Sequence, residues 1–120
     1  MGVFEETNIR MVRGDTLSRQ VRVVRDGTPL VLGHEDVGRF ALFGSDGLPV
    51  LVKTLGIADC RGDALIVTLA PEDTEPLDEG DYRCELELVL TDGTVITPLR
   101  GKLRLFADLI TPTVRGGKDQ

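Results

Sequence analysis

His34 is the first candidate for a catalytic or metal-binding residue, because it is the one histidine of the 120-residue chain. A nucleophilic mechanism would need it beside a serine or cysteine, and a metal site would need further ligands of its type. With Glu35 and Asp36 it suits a weak cation site, although a polar loop is the simpler interpretation. The sequence therefore predicts no catalytic residue, no enzyme, no cofactor and no metal site.

A run of carboxylates is the second candidate for chemistry. It could bind calcium through clustered oxygens, but it lacks the alternating acid spacing of calcium loops, which favours a solvated surface. The run comprises Glu72, Asp73, Glu75, Asp78, Glu79 and Asp81.

The triplet Arg-Gly-Asp occurs twice, at residues 13–15 and 61–63. Displayed on a loop tip, such a triplet can bind adhesion receptors. Gly-Asp is also ordinary turn chemistry, and the sequence favours this reading.

The two cysteines, Cys60 and Cys84, are predicted to be free thiols. The expected second strand, residues 17–25, contains no cysteine that could pair with Cys84 across a sandwich. We expect Cys84 to be a small buried residue and Cys60 to lie in a loop.

Composition narrows the range of partners. The net charge of −6 disfavours nucleic acid and anionic membranes, and aromatic residues make up only 4%, without tryptophan. The first residues lack the basic and apolar regions of a signal peptide, which predicts synthesis in the cytoplasm.

Short Val-, Leu- and Ile-rich segments separated by Gly-Asp and Asp-Gly turns predict an all-β fold. We expect an antiparallel β-sandwich of seven or more strands over residues 1–110 and a flexible tail over 111–120. Asp92-Gly93 predicts a hairpin, and Pro71–Thr74 one helical turn, with Leu77 anchored to the core. The predicted inward residues are Leu17, Val21, Val23, Phe40, Leu42, Leu65, Val67, Leu69, Cys84, Leu86, Leu88, Leu90, Leu103 and Leu105.

The segment Asp78-x-Gly80-x-Tyr82-x-Cys84 matches the start of strand F in immunoglobulin-like sandwiches. There the tyrosine hydroxyl bonds to the backbone of the preceding corner. We expect Tyr82 to be largely buried and bonded near Asp78. On the opposite parity, Glu85 and Glu87 are expected to face Lys102 and Arg104.

Further short motifs complete a set that spans nearly the whole chain. They are Met11-x-Arg13-Gly14-Asp15-Thr16, Asp26-Gly27-x-Pro29-Leu30, Leu69-x-Pro71-Glu72-Asp73-Thr74, Leu77-x-x-Gly80-x-Tyr82, Gly101-x-Leu103-x-Leu105 and Asp108-x-x-Thr111. In this order the set resembles the immunoglobulin-like N-terminal domain of phage baseplate upper proteins and related small phage and prophage structural proteins. The family usually carries Asp-Leu-Thr-Gly after the proline, where this chain has Leu30-Val31-Leu32-Gly33.

The resemblance implies a non-catalytic virion component of a tail, baseplate or head that docks on other virion proteins. Ile66, Val89 and Phe106 are apolar residues on outward parities, which predicts an interface for docking or for a homo-oligomer such as a trimer or ring. The alternative is a carbohydrate- or cell-surface-binding sandwich, which would need an exposed aromatic residue or a polar cleft.

Overall fold

A computed structural model describes residues 5–109 as an all-β sandwich. The predicted 111–120 tail lies outside the described residues. The strands are β1 (Glu5–Val12), β2 (Leu17–Arg22), β3 (Val24–Arg25), β4 (Thr28–Pro29), β5 (Val37–Phe43), β6 (Pro49–Leu55), β7 (Cys60–Arg61), β8 (Ala64–Leu69), β9 (Gly80–Val89) and β10 (Val95–Phe106). A 3-10 turn covers Ile57–Asp59, and the predicted helical turn forms as α1 (Pro71–Thr74).

Two sheets form the layers of the sandwich. The larger sheet has the strand order β1-β10-β9-β5-β6, and the smaller has the order β2-β8-β7. Their facing residues form one core, in which Phe40, Leu86 and Leu103 meet Val21 and Leu69. The inward parities of β5, β8, β9 and β10 are as predicted. The neighbours β10-β9-β5 and β2-β8-β7 correspond to the G-F-C and B-E-D strands of an immunoglobulin fold, whereas β1 joins the larger sheet.

One pairing departs from the predicted antiparallel arrangement. β1 runs parallel to β10, with Glu5 beside Leu99 and Val12 beside Phe106. All other paired strands are antiparallel. Gly101 makes the approach of β1 possible, because a Cβ atom there would lie 2.0 Å from the carbonyl oxygen of Thr7.

The predicted strand over residues 17–25 is divided. β2 ends at Arg22, and Val24–Arg25 pairs instead with Thr28–Pro29 in a two-stranded ribbon. Asp26 and Gly27 join these strands with φ values of 52° and 78°. Positive φ at both positions is the geometry of a type I′ hairpin turn, which accounts for the Asp-Gly pair.

The prediction that Glu85 and Glu87 face Lys102 and Arg104 is wrong. Glu85 faces Arg100, at 3.1 Å between Oε2 and Nε, while Arg104 pairs with Asp81. The register shifts at a bulge between Ile96 and Leu99. Pro98 lies within this bulge and has no N–H to donate to a sheet ladder, which explains the irregularity.

Within residues 5–109, no helix is both long enough and apolar enough to cross a membrane.

Candidate functional site

The corner before β9 has the predicted hydrogen bond. The Tyr82 hydroxyl donates to the Asp78 carbonyl oxygen at 2.6 Å, and Gly80 between them has a φ of 143°. Tyr82 is half-buried, so the prediction that it is largely buried is wrong. Burial and the nearby Asp78 charge raise the pKa of Tyr82, which keeps the hydroxyl protonated as a donor. Leu77 packs against the core as expected.

The turn after β1 is bonded to the same corner. The Gly14 N–H donates to the Thr74 hydroxyl oxygen at 2.8 Å, and the Arg13 guanidinium donates to the Leu77 carbonyl oxygen at 3.2 Å. Thr74 is fully buried, at 0% exposure. We call the group Arg13, Gly14, Thr74, Leu77, Asp78 and Tyr82 the corner network. Its residues fix the geometry of two turns.

Asp73 joins α1 to the larger sheet. Its carboxylate accepts hydrogen bonds from Lys53 Nζ at 2.6 Å and from the Ala70 N–H at 2.7 Å. Burial raises the pKa of Asp73, but these two hydrogen bonds and the Lys53 charge outweigh it, so the pKa is lowered. The most buried carboxylate of the predicted acidic run therefore has a structural partner.

In both Arg-Gly-Asp triplets the arginine side chain is hydrogen-bonded within the fold. Arg13 and Gly14 belong to the corner network. The second triplet turns the chain between β7 and β8, where Arg61 donates to the Ala58 and Cys60 carbonyl oxygens at 3.0 and 2.9 Å. Asp63 accepts from Arg22 Nε at 3.1 Å. These contacts favour the turn interpretation of both triplets.

His34 lies exposed in the loop before β5, as the polar-loop interpretation predicts. Its neighbour Asp36 accepts hydrogen bonds from the Gly33 N–H at 2.6 Å and the Thr91 N–H at 2.9 Å. These bonds lower the pKa of Asp36 and connect the loop to the β9–β10 hairpin. Across the described residues, no three His, Cys, Asp or Glu side chains gather as metal ligands would.

Both cysteines are free thiols. Cys84 is buried as predicted, and burial raises its pKa to about 11, so the thiol is protonated at neutral pH. Cys60 is half-buried and begins β7, where it pairs with Leu65. The prediction that Cys60 lies in a loop is therefore wrong.

The three predicted interface residues are all half-buried, and the fold does not bring them together. Ile66 belongs to the smaller sheet, whereas Val89 and Phe106 belong to the larger one. Val89 pairs with Val95 at the start of β10, and Phe106 ends that strand, roughly 35 Å away at the usual rise per residue. Arg10 lies over the Phe106 ring at 4.9 Å from its centroid.

The outer face of the larger sheet carries a concave surface, a cleft with a volume of about 320 Å³. Phe43, Arg83 and Lys102 line it from three adjacent strands, with Glu6 and Glu85 beside them. The sequence could not locate this cleft, because the cleft depends on the order of strands.

Exposed apolar side chains concentrate at β6, the last strand of the larger sheet. Leu48, Val50 and Val52 are 63%, 41% and 52% exposed. We call Leu48 together with Pro49–Leu55 the β6 edge. The order of strands, rather than the sequence of β6, makes this strand an edge.

No family model matches this sequence, and no curated protein matches it. Among solved structures, the chain is similar to CopC from Methylosinus trichosporium OB3b, with 12% sequence identity and a TM-score of 0.49. The alignment covers 83% of this chain and 84% of that protein.

Proposed function

We propose that this protein is a non-catalytic structural component of a phage or prophage particle, in the tail, the baseplate or a head accessory. It acts by docking its sandwich surface on other virion proteins. One observation carries the proposal: three of the motifs that resemble the phage family contribute residues to the corner network. Arg13-Gly14, Thr74 and Leu77-x-x-Gly80-x-Tyr82 come from three separate motifs, and hydrogen bonds join them in one corner.

The carboxylates with shifted pKa values have structural partners, which supports a structural role for the protein. Asp36, Asp73 and Asp92 all have lowered pKa values, and each accepts a hydrogen bond from a backbone N–H at a turn. A general acid at neutral pH needs a raised carboxyl pKa instead. These three groups hold turns in place.

Mass spectrometry of purified particles tests the virion role. Particles are induced from the strain that encodes the gene, purified by density gradient and analysed for this protein. We expect a fixed copy number relative to the major tail or head protein, and a tagged copy that captures a neighbouring virion gene product. Complete, infective particles that lack the protein would overturn the proposal.

A second candidate function is binding of a carbohydrate or a cell surface. The observation that favours it is the concave surface, where Phe43 offers an aromatic side chain beside Arg83 and Lys102. Glycan-array binding that is lost in Phe43→Ala would support this function. Phe106→Ala is the matched control, since Phe106 lies on the same sheet outside the cleft.

A further inference from the structure

The β6 edge has an unpaired side. Within residues 5–109, β6 pairs with β5 and with no other strand, so alternate backbone N–H and C=O groups point away from the sheet. Such an edge can accept a further strand, which completes these hydrogen bonds. The side chains along it decide which strand fits.

The opposite edge of the same sheet shows how an edge is protected. The outward side chains of β1 include Glu6, Asn8 and Arg10, and charged or polar groups of this kind discourage strand addition. The outward residues of β6 are Val50, Val52 and Thr54, which are uncharged and β-branched. Lys53 points to the other side of the sheet, where its Nζ forms an ion pair with Asp73 Oδ2 at 2.6 Å. The two edges of one sheet therefore differ in kind.

We propose that the β6 edge pairs antiparallel with the β6 edge of a second copy of this chain, about a two-fold axis at Val52. This register places Val52 opposite the partner's Val52 and Val50 opposite the partner's Thr54. Cross-strand pairs of β-branched residues stabilise antiparallel ladders, and the symmetry repeats each contact. The two five-stranded sheets become one sheet of ten strands.

Charge favours a second copy at this place over others. Each chain has a net charge of −6, so copies repel one another wherever acidic residues would face each other. In the proposed register Lys53 is the charged residue of the strand, and it lies opposite the partner's Leu51. No carboxylate of β6 meets another carboxylate.

The expected affinity is modest. Seven paired residues span about 23 Å, and one added strand buries less than the roughly 800 Å² per partner of a standard interface. We therefore expect dissociation in the micromolar range. The dimer does not depend on the virion role, and failure of either proposal leaves the other standing.

Sedimentation of the full chain across a wide concentration range tests the dimer. Wild type should shift from monomer to dimer, and Val52→Lys should weaken dimerisation at least tenfold, because two lysines would then meet at the axis. Val95→Lys is the control, because Val95 is 57% exposed on an interior strand of the same sheet. A chain that stays monomeric at high concentration, or a dimer unaffected by Val52→Lys, would overturn the proposal.

Cross-linking gives an independent measurement. In a Cys60→Ser background, Val52→Cys should form a disulfide-linked dimer under mild oxidation, because opposed residues on paired strands bring their Cβ atoms close together. Val95→Cys in the same background should form no disulfide-linked dimer, because Val95 lies away from the proposed pairing. Equal cross-linking of both variants would contradict pairing through β6.

Discussion

Thr74 offers the sharpest test of the corner network. Its hydroxyl accepts the Gly14 N–H at 2.8 Å, and both residues are buried. Thr74→Val keeps the shape of the side chain but removes the acceptor, so a buried N–H is left without a partner. That loss costs about 1 to 3 kcal/mol, and the added apolar group recovers up to about 0.8 kcal/mol. We expect a net loss of about 1.5 kcal/mol.

Urea unfolding measures this loss. With an m-value of about 1.5 kcal/mol/M, Thr74→Val should lower the unfolding midpoint by about 1 M. Thr74→Ser keeps the hydroxyl and loses one methyl group, at a cost of about 1 kcal/mol. Thr68→Val is the surface control, because Thr68 is exposed on β8. Its midpoint should stay close to that of wild type.

Hydrogen exchange at the Gly14 amide separates the lost hydrogen bond from a general loss of packing. The amide should stay protected in wild type and in Thr74→Ser, and exchange much faster in Thr74→Val. A Thr74→Val protein with an unchanged midpoint and a protected Gly14 amide would refute the role given to Thr74.

Three further predictions concern the corner, the α1 turn and the approach of β1 to β10. Tyr82→Phe removes one hydrogen bond and should lower the free energy of unfolding by on the order of 1 kcal/mol, measured by urea unfolding; an unchanged midpoint would count against the corner. The lowered pKa of Asp73 stabilises the fold above the unfolded value of 3.8, and this contribution is lost as pH falls through the folded value. Wild type should therefore lose more stability than Asp73→Asn between about pH 5 and pH 3, and parallel pH curves would contradict the Lys53–Asp73 contact. Gly101→Ala forces a Cβ against Thr7 and should cost about 3 kcal/mol, whereas Gly56→Ala, with open space around the Cβ, should be near neutral; similar thermal midpoints for both variants would argue against the close approach.

Local patterns in the sequence were sufficient for many elements. Alternation predicted the buried face of β9, Asp92-Gly93 predicted the hairpin, and Pro71–Thr74 predicted α1. The motif around Tyr82 predicted its bond to Asp78. Each of these features depends on residues close together in the chain, where turn chemistry and side-chain parity act directly.

Those local patterns could not predict contacts between residues far apart in the chain. The acceptor role of Thr74 depends on Gly14, sixty residues away, and the parallel pairing of β1 with β10 joins the two ends of the described chain. Parity alone marked Ile66 and Val89 as outward but could not show that they lie on different sheets. The exposure of the β6 edge likewise follows from strand order, which one strand's sequence does not encode.

The parallel pairing of β1 and β10 also determines how the sandwich responds to a stretching force. Because Glu5 lies beside Leu99 and Val12 beside Phe106, a pull on Glu5 and Phe106 in opposite directions acts along the two strands. The eight paired residues then slide against one another in shear, and their evenly spaced hydrogen bonds share the load. An antiparallel pair pulled at one end would open one bond at a time. This geometry resists extension along the strands.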